Sequence, residues 1–238
     1  MPLITRKLRK VTALYFTEIV IIFLGITLSF VFEQWRQDRA QHQLQLETLN
    51  LIAKDVRDKM SEANSDSIDF QRMASYLDTL FLMSRKGRVF NSLDDKLQAA
   101  FAMAIDIGST HYFQWNTATF QQLTSNGNIK SIKNDSLVRI VLQFYQGALY
   151  STHLNYNQLS AFKHGQMQNT TVLLPAFFDN KNLRYVVDLN SLSHNQVALN
   201  CVSQLKKMYM SCAYSNQNVK RSASRLLKLI EKEKIRLN

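Results

Sequence analysis

The sequence predicts an all-α protein, with one N-terminal transmembrane helix followed by a bundle of four to six helices. Three observations predict it. An apolar run from Val11 to Phe32 follows the basic start Arg6-Lys7-Leu8-Arg9-Lys10. Only six Gly and two Pro occur in 238 residues, none between Gly25 and Gly87, which is sparse for a turn-rich β architecture. Beyond Gln43, apolar residues recur at helical spacing.

The first element is the apolar run. A bilayer core about 30 Å thick takes roughly 20 apolar residues as helix, and residues 11–32 supply them. A cleaved signal peptide has a shorter apolar region, about 7–15 residues, and ends at small residues. Here the exit is Glu33-Gln34-Trp35-Arg36, so the run reads as a signal anchor. Four cations precede it, and only Arg36 and Arg39, mixed with Glu33 and Asp38, follow closely. The positive-inside rule then makes residues 1–10 cytoplasmic, 11–32 the span and 33–238 an extracytoplasmic domain, periplasmic at a bacterial inner membrane. Tyr15 and Trp35 suit the two interfaces.

Glu18 lies inside this run. A helix starting after it, Ile19 to Phe32, covers only about 21 Å, too short to cross. A charged carboxylate at that depth costs about 2.5 kcal/mol or more, so Glu18 is expected to be protonated, paired or snorkelling. At 100° per residue Glu18, Gly25 and Ser29 share one stripe, and a small-xxx-small pair lets two backbones approach closely. The stripe reads as a helix–helix contact, set against a solitary Glu that reaches the headgroups.

Composition bounds the rest. About 200 residues past the anchor suffice for one domain with its own core. The chain carries 29 Lys and Arg against 18 Asp and Glu, a net +11. Without the N-terminal cations and Glu18, 25 remain against 17. Such a surplus attracts nucleic acid or anionic lipid, and the topology excludes nucleic acid as a partner. Cys201 and Cys212 are eleven residues apart in a helical stretch, about 16 Å, too far for a disulfide, and read as two buried thiols.

Past the anchor, Leu49, Ile52, Val56, Met60, Phe70, Met73, Leu77 and Leu80 mark a long helix, which the anchor can enter without a break. The polar patch Glu62 to Asp69 is either a kink or a solvated face. Arg85-Lys86-Gly87 closes the helix. Ser92, with Asp94 and Asp95, caps a second helix through Leu97, Phe101 and Ile105 that ends near Gly108. A short helix from Thr117 and a tight turn at Asn126-Gly127 follow. Asn134 or Asp135 caps a long helix that buries Leu137, Ile140, Val141, Phe144, Tyr145, Ala148, Leu149, Tyr156 and Leu159. Residues 166–192 admit short helices or extended segments. Two helices end the chain, one with Val197, Cys201, Leu205, Met208 and Cys212 inside, the other with Val219, Leu226, Ile230 and Leu237.

No chemistry announces itself. The five His residues form neither H-E-x-x-H nor a Cys/His cluster, and six scattered Gly build no phosphate loop, so neither metal nor cofactor is expected. Ser203 and Lys206 have nucleophile-pair spacing but no companion motif, and the chain reads as a non-enzyme. The aromatic cluster around Tyr112, Trp115 and Phe120 is a ligand or interface candidate, against the plainer role of filling a helix join. The cations of the C-terminal helix read as a solvated face, with juxtamembrane lipid or an acidic partner as the alternative.

Two stretches carry a family resemblance. Phe16-Thr17-Glu18-Ile19-Val20 through Gly25-Ile26, with Trp35 beyond, resembles the opening of a family of bacterial single-pass membrane-anchored proteins. That family is known only as a domain of unknown function, common in Bacteroidetes-type bacteria. Thr119-Phe120, Leu123 and Ser125-Asn126-Gly127-Asn128-Ile129, leading to Leu137 and Phe144-Tyr145, is similar to its central helix-turn-helix. The chain departs from the pattern at Thr17, where Gly is usual, and at Gln34-Trp35-Arg36. The resemblance implies a single-pass anchor with a helical extracytoplasmic domain and no assigned activity.

The sequence therefore leads to a non-catalytic anchored interaction or scaffold module. It would self-associate, or dock an unknown membrane protein, through Glu18, Gly25 and Ser29. The alternative is a periplasmic sensor-like domain that binds a small ligand near Trp115.

Overall fold

The computed structural model describes the backbone of residues 3–85, 104, 117–173, 176–179, 184–187 and 195–237. Within these, side chains are described for 18, 20–83, 104, 117–165 and 195–237. Helix α1 is one uninterrupted rod, Leu3–Arg85, about 125 Å long. It passes Glu62 to Asp69 without a break, so that patch is a helix face. Its last described residue is Arg85, and the Lys86-Gly87 expected to close it lies outside the described residues. The helix expected from Ser92 to Gly108 lies outside the described residues, apart from Ala104, which is helical and fully buried.

Helix α2, Ala118–Ser125, starts after Thr117. It leads through Gly127, whose φ of 71° needs the left-handed region, into a 3₁₀ turn at Asn128–Ser131. Asn134 caps α3, Asp135–Gln143, by accepting a hydrogen bond from the Leu137 amide. A π-helical segment, Phe144–Leu149, joins α3 to α4, Tyr150–Leu173. Its wider turn buries Phe144, Tyr145 and Leu149 together. Residues 166–192 use both alternatives where they are described: α4 continues to Leu173, and beyond it β1, Ala176–Asp179, pairs antiparallel with β2, Arg184–Val187.

The last element differs from expectation. A single helix, α5, runs from Gln196 to Leu237 where the sequence pattern predicts two. Neither Gly nor Pro interrupts it, and one buried seam runs along it: Ala198, Val202, Leu205, Tyr209, Cys212, Asn216, Val219, Ala223, Leu226, Ile230 and Glu233. These steps alternate four and three, the spacing that keeps one stripe facing a partner helix. Val197 is exposed and Met208 only partly buried, one position off the seam; both were expected inside. On α1 the matching face carries Gln45, Leu49, Ile52, Val56, Ala63, Ala74, Leu77 and Leu80.

Hydrogen bonds fix the directions. Tyr145 donates to Asp55 and Tyr156 to Asp66, each pair 90 positions apart, so α1 runs parallel to the α3–α4 rod. Helix α5 runs antiparallel to α1: His42 Nε2 meets the Leu237 carbonyl at 2.8 Å, Ser67 donates to Ala213 O at 3.2 Å, and Lys206 pairs with Asp78. The result is a three-rod bundle, with α2 and the 3₁₀ turn packed on its first half.

Among the described residues no helix is long and apolar enough to cross a membrane. Of the expected span, side chains are described for Glu18 and from Val20 on.

Candidate functional site

The sequence-derived stripe comes first. Glu18 is exposed, and beyond the neighbouring backbone of its own helix no described atom lies within 4 Å of where a Cβ on Gly25 would stand. Ser29 donates its hydroxyl to the Gly25 carbonyl at 2.8 Å, and Thr27 does the same to Phe23. Both hydroxyls are thus satisfied within the helix and need no water. The helix leaves this stretch through a collar: the Phe32 and Trp35 rings are 5.9 Å apart, and the Arg39 guanidinium sits 5.5 Å from the Trp35 ring centre.

The aromatic candidates separate. Tyr112 and Trp115 lie outside the described residues. Phe120 stacks on Tyr145 with centroids 4.3 Å apart at 13° and packs against the core of Leu49, Ile52, Leu137 and Val141. Its described role is the plainer one, filling a helix join.

Sequence reading missed a polar layer inside the bundle. One apolar core gathers around Ile52, Phe144 and Leu226, and a second around Leu77, Leu205 and Tyr209. Between them Tyr156 donates to Asp66 at 2.9 Å and accepts from the Asn216 amide at 2.8 Å. Asn216 is fully buried, and its Oδ1 has no partner among the described residues. Burial pushes the Tyr156 hydroxyl well above the ordinary tyrosine range, and the Asp66 charge adds to it. Burial also takes the Cys212 thiol up to about 12, against the nearby Lys163 ammonium, which lowers it. Below this layer Tyr145 donates to Asp55, which also pairs with the buried Lys59 at 3.4 Å. Tyr145, too, is raised by burial and then by Asp55.

A faint signal for this layer existed. Asp55 and Asp66, and likewise Tyr145 and Tyr156, are eleven residues apart, a spacing that returns to the same helix face.

On the outside of this layer an open groove of about 860 Å³ runs between α1 and α5. Asn64, Ser67 and Gln71 form one wall, and Lys220, Arg221, Arg225 and Lys228 the other. No carboxylate lines it. Both free cysteines are buried, and among the described residues no three His, Cys, Asp or Glu side chains stand close enough to hold a metal ion.

No protein-family model, curated protein or solved structure matches the chain. The resemblance carried by residues 16–26 and 119–145 gains nothing from these comparisons.

Proposed function

We propose that this chain is a non-catalytic, membrane-anchored helical module that presents an extracytoplasmic bundle. In this reading its anchor helix associates with a second copy, or with another membrane protein, through Glu18, Gly25 and Ser29. The observation that carries it is the surface of α1 between Val20 and Phe32. Ile21, Ile22, Phe23, Leu24, Ile26 and Leu28 are all more than half exposed, on every side of the helix. A helix that is apolar all round belongs in lipid or inside a protein, and among the described residues nothing covers this one.

Four further features support it. The Thr27 and Ser29 hydroxyls bond to their own backbone, as a span in hydrocarbon requires. Phe32, Trp35 and Arg39 make an interfacial collar where the polar sequence begins. Val20 to Phe32 alone covers about 20 Å, and the apolar residues from Val11 to Ile19 would complete the crossing. The open space around Gly25 leaves room for a partner backbone. Use of Phe120 in the core withdraws support from the small-ligand reading.

Fractionation and crosslinking test this. The protein should resist extraction by alkaline carbonate, and a C-terminal reporter should be active only outside the cytoplasm. Membrane crosslinking should give a dimer or hetero-complex band that Glu18→Gln and Gly25→Leu weaken. Carbonate-soluble protein would sink the anchor; unchanged bands would sink the stripe.

A further inference from the structure

We infer that the basic groove between α1 and α5 is a docking site for an acidic helical segment of a partner protein. Four cations on one wall meet no carboxylate: none lines the groove, and among the described residues none forms an ion pair with Lys220, Arg221, Arg225 or Lys228. Elsewhere on the same helix Lys206 pairs with Asp78, Lys234 with Glu231 and Arg236 with Glu233. Positive charge is therefore left uncompensated along this wall, where like charges within about 12 Å repel and an anion relieves them.

The pattern fits a helix. Arg221 and Arg225, and on the adjoining row Lys220 and Lys228 either side of Ser224, repeat at four residues, about 6 Å. Carboxylates at i and i+4 on a facing helix have the same repeat, and each arginine can bind one in a two-pronged geometry. Lys220 is already held, its ammonium donating to Asn64 Oδ1 at 2.7 Å across the groove. The groove also offers apolar contact: Ile68 is 50% exposed on one wall and Leu229 lies on the other. A free phosphate has no use for such contact, whereas a helix with one apolar stripe does.

Position argues against lipid headgroups, a step that rests on the anchor reading. Asn64 lies 32 residues beyond Phe32 on one continuous helix, about 48 Å from the end of the apolar run. Lys232 and Arg236 occupy the end of α5 that returns to His42, and these are the cations near a bilayer.

The test uses the full chain in neutral detergent micelles. The probe is a labelled synthetic helix bearing Glu at every fourth position beside one Leu stripe; a second peptide has Gln in place of Glu. Fluorescence anisotropy should show the Glu peptide binding at least about tenfold more tightly than the Gln peptide, and weakening with added salt. Arg221→Glu with Arg225→Glu should abolish this preference. Lys207→Glu with Lys232→Glu, exposed cations outside the groove, should leave it within about twofold. If the charge-reversed protein loses helical circular dichroism, Arg221→Gln with Arg225→Gln takes its place and should weaken binding by several-fold. Equal binding of the two peptides, or binding that ignores Arg221 and Arg225, overturns the inference. So does tripolyphosphate or an anionic vesicle that binds through these arginines when the Glu peptide does not. The micelle measurement stands apart from membrane extraction, so failure of the anchor and failure of the groove are read separately.

Discussion

Tyr156 donates its hydroxyl to the Asp66 carboxylate across 2.9 Å, tying α4 to α1 in the layer that divides the two apolar cores. The same oxygen accepts from Asn216 on α5, so one phenol holds all three rods in register. A buried polar residue at a seam position is a known way to fix helix register at some cost in stability.

Tyr156→Phe should therefore destabilise the fold by about 1–3 kcal/mol, because it leaves a buried amide and a carboxylate without that partner. Urea unfolding measures it. Adding Asn216→Leu should cost less than the sum of the two single changes, since it removes the stranded amide.

Alkaline pH should unfold the protein early. Tyr145, Tyr156 and Cys212 are all raised in the folded state by burial first. Their unfolded counterparts ionise near their ordinary values of 10.0 and 9.0. An acid raised on folding contributes stability that is complete below its unfolded value and is lost as pH rises above it. Stability should thus fall from about pH 9 upward, by as much as about 1.4 kcal/mol per unit for each group that titrates only when unfolded. In a spectrophotometric titration, two tyrosines should ionise only together with unfolding. Ordinary titration of all nine tyrosines in folded protein would count against the buried layer.

Asn134→Ala should cost about 1–2 kcal/mol. It removes the cap on the Leu137 amide and also the 2.9 Å hydrogen bond from Asn134 Nδ2 to the buried Glu233 carboxylate. Asn134→Asp should keep the cap yet place a second carboxylate beside Glu233. Thermal denaturation should then rank the variants wild type, Ala, Asp at neutral pH, with Asp recovering as pH falls.

Phe120→Ala separates the two roles considered for the aromatic cluster. Loss of the stacked contact with Tyr145 should lower stability by about 2 kcal/mol. A ligand-lining Phe120 would instead leave stability unchanged, which chemical denaturation decides directly.

Local signals carried much of the fold. The cap at Asn134, the turn at Gly127 and the burial of Cys201 and Cys212 each follow from chemistry within a few residues. What needed a partner was not visible. Tyr209 takes the seam position beside Met208 and reaches the Ala104 carbonyl at 3.0 Å, a contact 105 residues away. Asn216 looks like a surface amide until Tyr156 is set against it. Asp66 sits in a patch of carboxylates and amides that reads as solvated, and only the parallel course of the α3–α4 rod turns one of them inward. The cations of α5 were plain in the sequence, but the groove they line belongs equally to Asn64, Ser67 and Gln71 on a helix made far earlier.

That separation in time has a consequence of its own. The stripe on α1 from Leu49 to Leu80 is covered mainly by α5, whose first turn at Gln196 is translated more than a hundred residues after α1 ends at Arg85. Until α5 emerges, a nascent chain carries a greasy edge several turns long that the α3–α4 rod covers only in part. Holding chaperones or neighbouring nascent chains would meet it before its own closing helix does, and the yield of this protein should depend on which arrives first.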